Sequence, residues 1–222
     1  MSDLDSPARP LRRTTLAEDA YGALRDILLV DGRFAPGEKI SVEELSRELG
    51  VSRSPIWTAV ARLEAEGVLR VVPRQGVFMV DFDAGKVANL FQAREALEGM
   101  AARLAAANVE QANMAELNLY LARQREALQH RDDRGYAHAT QLFHDRIIAL
   151  SGNPTIEKMV AALYSQMQAM CGPVVATSWP ERSIYWNDHS ALVAALSHRD
   201  ADEAESQARR HVRRVAEAAL RR

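Results

Sequence analysis

The stretch that decides the fold is residues 40–79, which read ISVEELSRELGVSRSPIWTAVARLEAEGVLRVVPRQGVFM. Two short helical patterns meet there at the turn Gly50-Val-Ser52, and two β-prone runs follow around Pro73-Arg-Gln-Gly76. The order of helix, turn, helix and hairpin predicts a helix-turn-helix motif with a wing, a shape that puts one helix in a groove of DNA.

Local signals mark the ends of these two helices. Ser41 followed by Glu44 forms the pattern of a capping box, which predicts the start of the first helix. Gly50 is suited to the left-handed conformation that ends such a helix. Ser52 or Ser54 is then expected to cap the second helix.

The composition changes after residue 80. Before that point, apolar residues at helical spacing predict one more helix over residues 16–30, and strands of the wing are predicted at residues 69–72 and 77–80. Beyond it the chain is rich in Ala, Leu, Arg, Glu and Gln without a strand pattern, which predicts an all-α bundle. Six helices are predicted there, over residues 84–108, 113–131, 134–151, 154–177, 181–197 and 200–222.

These patterns predict a mainly α chain in three parts: a flexible N-terminal arm at residues 1–15, a winged helix-turn-helix domain at residues 16–80, and an all-α domain at residues 81–222. The arm carries Arg9, Arg12 and Arg13. It is either a solvated tail or an arm that contacts DNA phosphates.

Composition excludes several classes of protein. The single cysteine, Cys171, excludes an internal disulfide framework and fits a reducing compartment. No apolar run reaches the length of a membrane span, and the N-terminus lacks the apolar segment of a secretory signal. We therefore expect a cytoplasmic protein. The net charge is only −2, so any contact with nucleic acid depends on the local placement of arginines.

The second helix of the motif is predicted to present its N-terminal residues to base edges. Arg53 can pair bidentately with a guanine, and Arg74 at the wing tip can reach the minor groove or a phosphate. The alternative is that Arg53 is a solvated charge and that Trp57 caps a core. The predicted DNA-contacting residues are Ser41, Ser52, Arg53, Ser54, Trp57, Arg74, Gln75 and Gly76.

Three histidines of the second domain lie beside apolar stripes of three different predicted helices: His144, His189 and His211. Inward imidazoles from facing helices can converge on one divalent ion and leave positions open for a ligand or water. The alternative is three unrelated helix histidines, each with its own hydrogen-bond partner.

Two stretches of the motif resemble the GntR family of bacterial transcription regulators: residues 45–55, LSRELGVSRSP, and residues 62–69, RLEAEGVL. The second domain resembles the FadR/FCD branch, and its six helices are similar to the VanR-type subgroup. The resemblance implies a homodimeric regulator, a repressor rather than an enzyme, that binds a palindromic DNA operator. It also implies that residues 81–222 bind an effector and dimerise.

Three positions depart from the family pattern. Trp57 stands where members usually carry an arginine, Thr58 where they often carry a glutamate, and Glu43 where some carry an arginine. The loss of two cations implies a shallower salt dependence of DNA binding, because each phosphate contact releases counterions. Trp57 can instead stack on a sugar or touch a thymine methyl.

The resemblance also assigns His144, His189 and His211 to a metal site of the bundle. The family's aspartate is replaced by Thr140, and a neutral hydroxyl is a poor ligand for Zn²⁺ or Ni²⁺. Either the metal binds through three histidines plus water with lower affinity, or the histidines donate directly to an anionic effector without a metal.

Arg94 matches an arginine that grips an effector carboxylate in the family, which implies a small organic acid as the effector. Thr140 and Tyr185 are expected to line the same pocket. The alternative pairs Arg94 with Glu98 or Glu95 as a surface ion pair. Two other readings stay open: a metal-free pocket for a larger apolar or acyl ligand, and, more distantly, a zinc-dependent hydrolase, although no HExxH motif is present.

Overall fold

A computed structural model of the chain describes residues 16–171 and 178–221. The predicted arm at residues 1–15 and the last part of the helix predicted at residues 154–177 lie outside the described residues. The described ranges are mainly helical with one small antiparallel sheet, which confirms the predicted fold class. The head, as we call residues 16–80, contains α1 (Leu16–Arg25), a π-helical turn (Asp26–Val30), β1 (Lys39–Ile40), α2 (Val42–Glu48), α3 (Arg53–Ala65), β2 (Leu69–Val72) and β3 (Gly76–Met79).

The core of the head is built from α1, α3 and the sheet. On α3, Ile56 and Leu63 are fully buried, and Met79 of β3 is 1% exposed. Ile56, Val60 and Leu63 recur at helical spacing, so one face of α3 packs inward while the other stays at the surface. This burial fixes which side chains of α3 face solvent.

The sheet has a third strand that the sequence pattern did not predict. Strand β1 pairs antiparallel with β3, with Lys39 opposite Phe78 and Ile40 opposite Val77, and the strand order is β1-β3-β2. A strand of two residues is too short to show the alternation by which strands are recognised. The predicted wing strand at residues 69–72 is correct, and its partner begins one residue earlier than predicted, at Gly76.

The helix predicted over residues 16–30 changes its hydrogen bonding near its end. Helix α1 ends at Arg25, and the π-helical turn continues to Val30. Within this turn the consecutive residues Leu28 and Leu29 are both buried, at 2% and 1% exposure. Such π-turns widen a helix by one residue. The switch to π-helical hydrogen bonding occurs where the turn packs into the core of the head, and the spacing of apolar residues along the sequence does not predict it.

Six helices follow in the described part of the chain, as predicted. Helix α8 begins two residues earlier than predicted because Ser178 and Glu181 form a capping box, and Pro180 occupies the first turn, where its missing N–H costs nothing. The helices are α4 (Ala84–Asn108), α5 (Gln111–His130), α6 (Asp133–Leu150), α7 (Pro154–Cys171), α8 (Trp179–Ser197) and α9 (Ala201–Leu220).

Helix α4 is the centre of the bundle and packs against α6, α7, α8 and α9. Its residues Ala101, Ala102 and Ala105 are fully buried, and such small side chains let neighbouring helices approach closely. The helices that carry the three singled-out histidines therefore surround α4. No helix in the described ranges is both long enough and apolar enough to span a bilayer.

Candidate functional site

Helix α3 begins at Arg53, directly after its N-cap residue Ser52. Ser52 has extended backbone angles (φ −68°, ψ 167°), but its side chain makes no capping hydrogen bond. The side chain of Arg53 is 63% exposed, and Trp57 is 45% exposed. Both residues therefore lie at the surface, and Trp57 does not cap a core.

Six of the eight residues predicted to contact DNA line one open depression of about 480 Å³ between α2, α3 and the wing. The other two, Ser52 and Ser54, are exposed at the start of α3 but outside that lining. The six that the structure brings together are Ser41, Arg53, Trp57, Arg74, Gln75 and Gly76.

One further cation, which the sequence pattern did not indicate, lies next to the wing tip. Lys39 of β1 is exposed and lines the same depression. A Cβ atom on Gly76 would lie 3.1 Å from Lys39 Cε, and Gly76 has a φ of 122°. Arg74, also at the tip, has a φ of 65°. Only the pairing of β1 with β3, which no sequence signal indicated, brings Lys39 to this surface.

An ion pair crosses the depression. Glu43 Oε1, on α2, lies 3.0 Å from Arg53 Nη2, and it also lies 3.8 Å from Arg47 Nη2. The two residues of the first pair are ten positions apart on different helices, so helical spacing did not indicate the contact. In the protein without DNA, a carboxylate thus holds the arginine that is predicted to read a base.

Three histidines converge in the bundle. His144 on α6, His189 on α8 and His211 on α9 each offer one ring nitrogen, and these three atoms all lie within 4.8 Å of one another. The Nε2 atoms of His189 and His211 are 3.3 Å apart. The apolar stripes beside these residues, which include the fully buried Phe143, pull all three helix faces inward. The convergence expected from the sequence is therefore present.

Two of these histidines have an oxygen facing Nδ1. The Nδ1 atom of His189 lies 2.8 Å from Gln124 Oε1, a hydrogen bond in which the ring donates to the amide oxygen. The Nδ1 atom of His211 lies 3.6 Å from Asp188 Oδ2. Among the described residues, neither His211 Nδ1 nor Asp188 Oδ2 has a hydrogen-bond partner. The other oxygen of Asp188, Oδ1, accepts a hydrogen bond from Arg214.

The third histidine faces a buried ion pair. The Nδ1 atom of His144 lies 3.9 Å from Glu98 Oε2, and Glu98 Oε1 accepts a hydrogen bond of 2.6 Å from Arg94 Nε. Arg94 also donates to the Tyr164 hydroxyl at 3.0 Å and lies 3.5 Å from Met167 Sδ. Arg94 is 4% exposed, so the predicted pairing with Glu98 exists but lies in the interior rather than at the surface.

Burial sets the charge of this cluster. Desolvation, with a further contribution from His211, lowers the pKa of His144 to about 3. Burial also lowers the pKa of His189. Burial alone would raise the pKa of Glu98, but the charge of Arg94 and its hydrogen bond outweigh burial and hold that pKa below its ordinary value. His144 and His189 are therefore neutral near pH 7, which is the form that binds a metal ion.

A small hollow lies beside the histidines. Its volume of about 10 Å³ is enough for one ion or one water. It is lined by Glu98, His144, Ile147, Ile148, Leu192, Ala208 and His211.

The other two predicted effector residues, Thr140 and Tyr185, do not line the hollow, but each lies near one of the histidines. Thr140 lies one turn before His144 on α6, and its buried Oγ1 lies beside the Tyr136 hydroxyl. The Tyr185 ring packs edge-on against His211, with ring centroids 5.5 Å apart. Burial raises the pKa of Tyr185 to about 12, so its hydroxyl stays protonated and can donate a hydrogen bond.

Helix α7 touches both this cluster and the head. Its residues Tyr164 and Met167 contact Arg94, as described above. One turn after Tyr164, Gln168 donates to the backbone carbonyl of Leu29 in the π-helical turn. The next residue, Ala169, is 1% exposed and belongs to the core of the head.

Comparisons with known proteins agree with this division of the chain. Residues 16–79 match the family model described as bacterial regulatory proteins, gntR family, and residues 89–214 match the FCD domain. The head and the bundle that contains the three histidines are therefore found in other proteins.

Curated relatives cover most of the chain. It is 29% identical over 182 residues to the Nta operon transcriptional regulator of Aminobacter aminovorans, covering 79% of this chain and 81% of that protein. It is 26% identical over 212 residues to the probable D-xylose utilization operon transcriptional repressor of Paenarthrobacter nicotinovorans, covering 94% and 91%. The solved structure of E. coli McbR/YncC has the same fold, with a TM-score of 0.78, 23% identity and coverage of 90% and 95%. The chain thus belongs to the FCD branch of the GntR family of bacterial transcriptional regulators, which bind DNA and are not enzymes.

Proposed function

We propose that this regulator is a ligand-responsive repressor that binds a palindromic operator as a homodimer. A small organic acid controls it at a divalent metal ion held by His144, His189 and His211. The observation that carries the proposal is the convergence of three imidazoles, two of them with Nε2 atoms 3.3 Å apart.

That distance fits a metal site. With Zn–N bonds of about 2.0–2.1 Å and tetrahedral angles, two ligand nitrogens are about 3.3–3.4 Å apart. His189 and His211 each have an oxygen facing Nδ1, which leaves Nε2 free for an ion, as is usual for metal-binding histidines. A bound Zn²⁺ or Ni²⁺ would supply a positive charge with an open coordination position.

Thr140 replaces the carboxylate that the family resemblance places at that position. The charge of a bound ion would attract an effector carboxylate, and the hydroxyls of Thr140 and Tyr185 would donate hydrogen bonds to it. The buried position of the Thr140 Oγ1, one turn from His144, supports this role. Arg94 donates its hydrogen bond to Glu98, so it contacts the effector directly only when the effector displaces the Glu98 carboxylate.

A metal-free pocket for a larger apolar or acyl ligand is the competing proposal. The hollow beside the histidines, of about 10 Å³, has room for an ion, whereas a larger apolar ligand would require the helices to move apart. Removal of the metal should abolish effector binding under the first proposal and leave ligand binding unchanged under the second.

Replacing His211 with Ala tests the metal site. We expect about one equivalent of zinc or nickel per wild-type chain, and a large loss of metal in the variant, because a ligand is removed. Added zinc should raise the melting temperature of the wild-type protein by mass action, equivalent to about 2.7 kcal/mol at a hundredfold excess over Kd. His198→Ala is the control, since His198 is exposed at the end of α8.

The same assay then tests the effector. Organic acids should raise the melting temperature of the zinc-loaded protein and not of the metal-free protein. Metal content at background in the wild-type protein, without recovery on adding zinc or nickel, would favour the metal-free pocket. An acyl thioester that stabilises the metal-free protein would point the same way.

We propose that α7 transmits effector binding to the head. Tyr164 and Met167 contact Arg94, while Gln168 and Ala169 contact the head. A shift of the Arg94–Glu98 pair on effector binding therefore reaches the π-helical turn through one rigid helix. Effector binding biases two arrangements of the paired recognition helices, with a coupling of about 1–3 kcal/mol.

Gln168→Ala tests this coupling. The variant loses the hydrogen bond from α7 to the Leu29 carbonyl but keeps the metal and effector groups. We expect unchanged effector affinity in the absence of DNA, and a change of DNA affinity on adding effector that is about two- to thirtyfold smaller than in wild type. Lys158→Ala, an exposed residue of the same helix, is the control. If Gln168→Ala keeps the full effector response in fluorescence anisotropy with labelled operator, α7 is not the route.

A further inference from the structure

We infer that Glu98 is a positioning residue of the histidine site: its Oε2 accepts the Nδ1 proton of His144 and so directs Nε2 of His144 towards the ion. The inference deepens the proposed metal site and rests on it. Glu98 lies on α4, away from the three ligand helices, and neither the family resemblance nor the sequence pattern gives it this role.

The two oxygens of Glu98 serve different partners. Oε1 accepts from Arg94 Nε at 2.6 Å, whereas Oε2 lies 3.9 Å from His144 Nδ1. Glu98 is 5% exposed and lines the same ion-sized hollow as His144 and His211. A contraction of about 1 Å would bring Oε2 within hydrogen-bond distance of His144.

The same arrangement occurs at the other two histidines. His189 has Gln124 Oε1 at 2.8 Å from Nδ1, and His211 has Asp188 Oδ2 at 3.6 Å from Nδ1. An oxygen thus faces Nδ1 in all three rings, so each ring can offer its Nε2 to one ion. An outer oxygen that fixes the tautomer and orientation of the ring is a regular feature of metal-binding histidines.

Glu98 positions rather than ligates. Its carboxylate is not part of the group of nitrogen ligand atoms that lie within 4.8 Å of one another. Arg94 gives it a permanent counter-charge, so the carboxylate can stay ionised in the interior without the ion. Arg94 therefore has a role in this site that differs from gripping an effector.

Two double variants isolate the oxygen acceptor. Arg94→Met/Glu98→Gln and Arg94→Met/Glu98→Leu both remove the buried ion pair and are neutral and similar in volume, but only the first retains an oxygen that can accept from His144. Zinc affinity is measured by competition with a chelator, and the tautomer of His144 by ¹⁵N NMR of the metal-free protein. Circular dichroism and thermal unfolding verify that each variant is folded.

We expect the Leu variant to bind zinc about 10–100-fold more weakly than the Gln variant. We also expect the proton of His144 to reside on Nδ1 in the wild-type and Gln proteins, and to lose that preference in the Leu variant. A purely structural role for Glu98 would not change the tautomer. Glu95→Gln, on the same helix but paired with Arg209 and Arg213, should change neither quantity.

Equal zinc affinities and equal tautomers in the two double variants would overturn the role of Glu98 and leave the metal site standing. The single variant Glu98→Gln tests the inference even if the double variants do not fold. Its one amide oxygen accepts from Arg94 and its NH2 group faces His144, so the preference for the Nδ1 tautomer should be lost, and retention of that preference would also overturn the inference. A wild-type protein that binds no zinc would remove the metal site itself. The tautomer of the metal-free protein separates that failure from the failure of Glu98.

Discussion

Replacing Arg94 with Met is expected to lower the free energy of unfolding by about 3–5 kcal/mol. The substitution leaves Glu98 ionised in the interior, where Arg94 Nε now donates to it at 2.6 Å and its exposure is only 5%. Loss of one member of a buried pair costs more than the pair itself contributes, because the remaining charge is desolvated without compensation. Denaturant unfolding followed by circular dichroism measures the change.

The double variant Arg94→Met/Glu98→Leu is the matched control. It replaces both charges with apolar groups, so most of the lost stability should return. The deficit of Arg94→Met should also depend on pH. In the wild-type protein the pKa of Glu98 is lowered, so its stabilisation is present above the unfolded-state pKa of about 4.3 and is lost as the pH falls. In the variant, burial without Arg94 raises that pKa, so the deficit is largest near pH 7 and shrinks on acidification.

Two outcomes would contradict this account of Arg94. One is a single variant as stable as wild type near pH 7. The other is a double variant as unstable as the single one, which would mean that Arg94 acts through packing against Tyr164 rather than through its charge.

Replacing Arg53 with Ala is expected to weaken specific operator binding by about 1–3 kcal/mol, or about five- to 150-fold. Arg53 stands at the N-terminal end of α3 with its side chain 63% exposed, beside the depression that Trp57 and the wing also line. A bidentate contact with guanine is worth about this much discrimination. Fluorescence anisotropy with operator and with unrelated DNA separates specific from general binding. Arg123→Ala, an exposed arginine of α5, is the control.

Glu43 supplies a test of opposite sign on the same residue. Glu43→Gln breaks the 3.0 Å ion pair that holds Arg53 and removes a negative charge from the surface that faces phosphates. We expect DNA binding to become tighter by about 0.2–1 kcal/mol, because that is the usual strength of an exposed ion pair, which DNA binding must otherwise break. An Arg53→Ala variant with unchanged operator affinity would remove α3 from its role as the recognition helix, whatever Glu43→Gln does.

Much of the fold could be predicted because the periodicity of apolar residues and the capping signals are local properties of the sequence. The spacing of apolar residues predicted six bundle helices with most ends correct within two residues, since caps and turns act over a few positions. The two-residue strand β1 and the π-helical turn were not predicted. Each exists only through its contacts, β1 through its pairing with β3 and the turn through the packing of Leu28 and Leu29 into the core.

The histidine site divides in the same way. The sequence marked His144, His189 and His211, because each stands beside an inner stripe of its own helix. Their oxygen partners could not be found from spacing: Gln124 is on α5 and Glu98 is on α4, each on a different helix from its histidine. The predicted effector residue Arg94 likewise proved to have an internal partner, Glu98, within the bundle.

By itself the sequence determined the class of this protein, the order of its helices and the residue types of both candidate surfaces, because periodicity, caps and motifs are properties of neighbouring residues. Only the tertiary structure decided what those residues face. It brought Glu43 to Arg53, Glu98 to His144 and α7 to the head, because hydrogen bonds and ion pairs between helices depend on how the helices pack, and packing distances are not encoded in the spacing of any one segment.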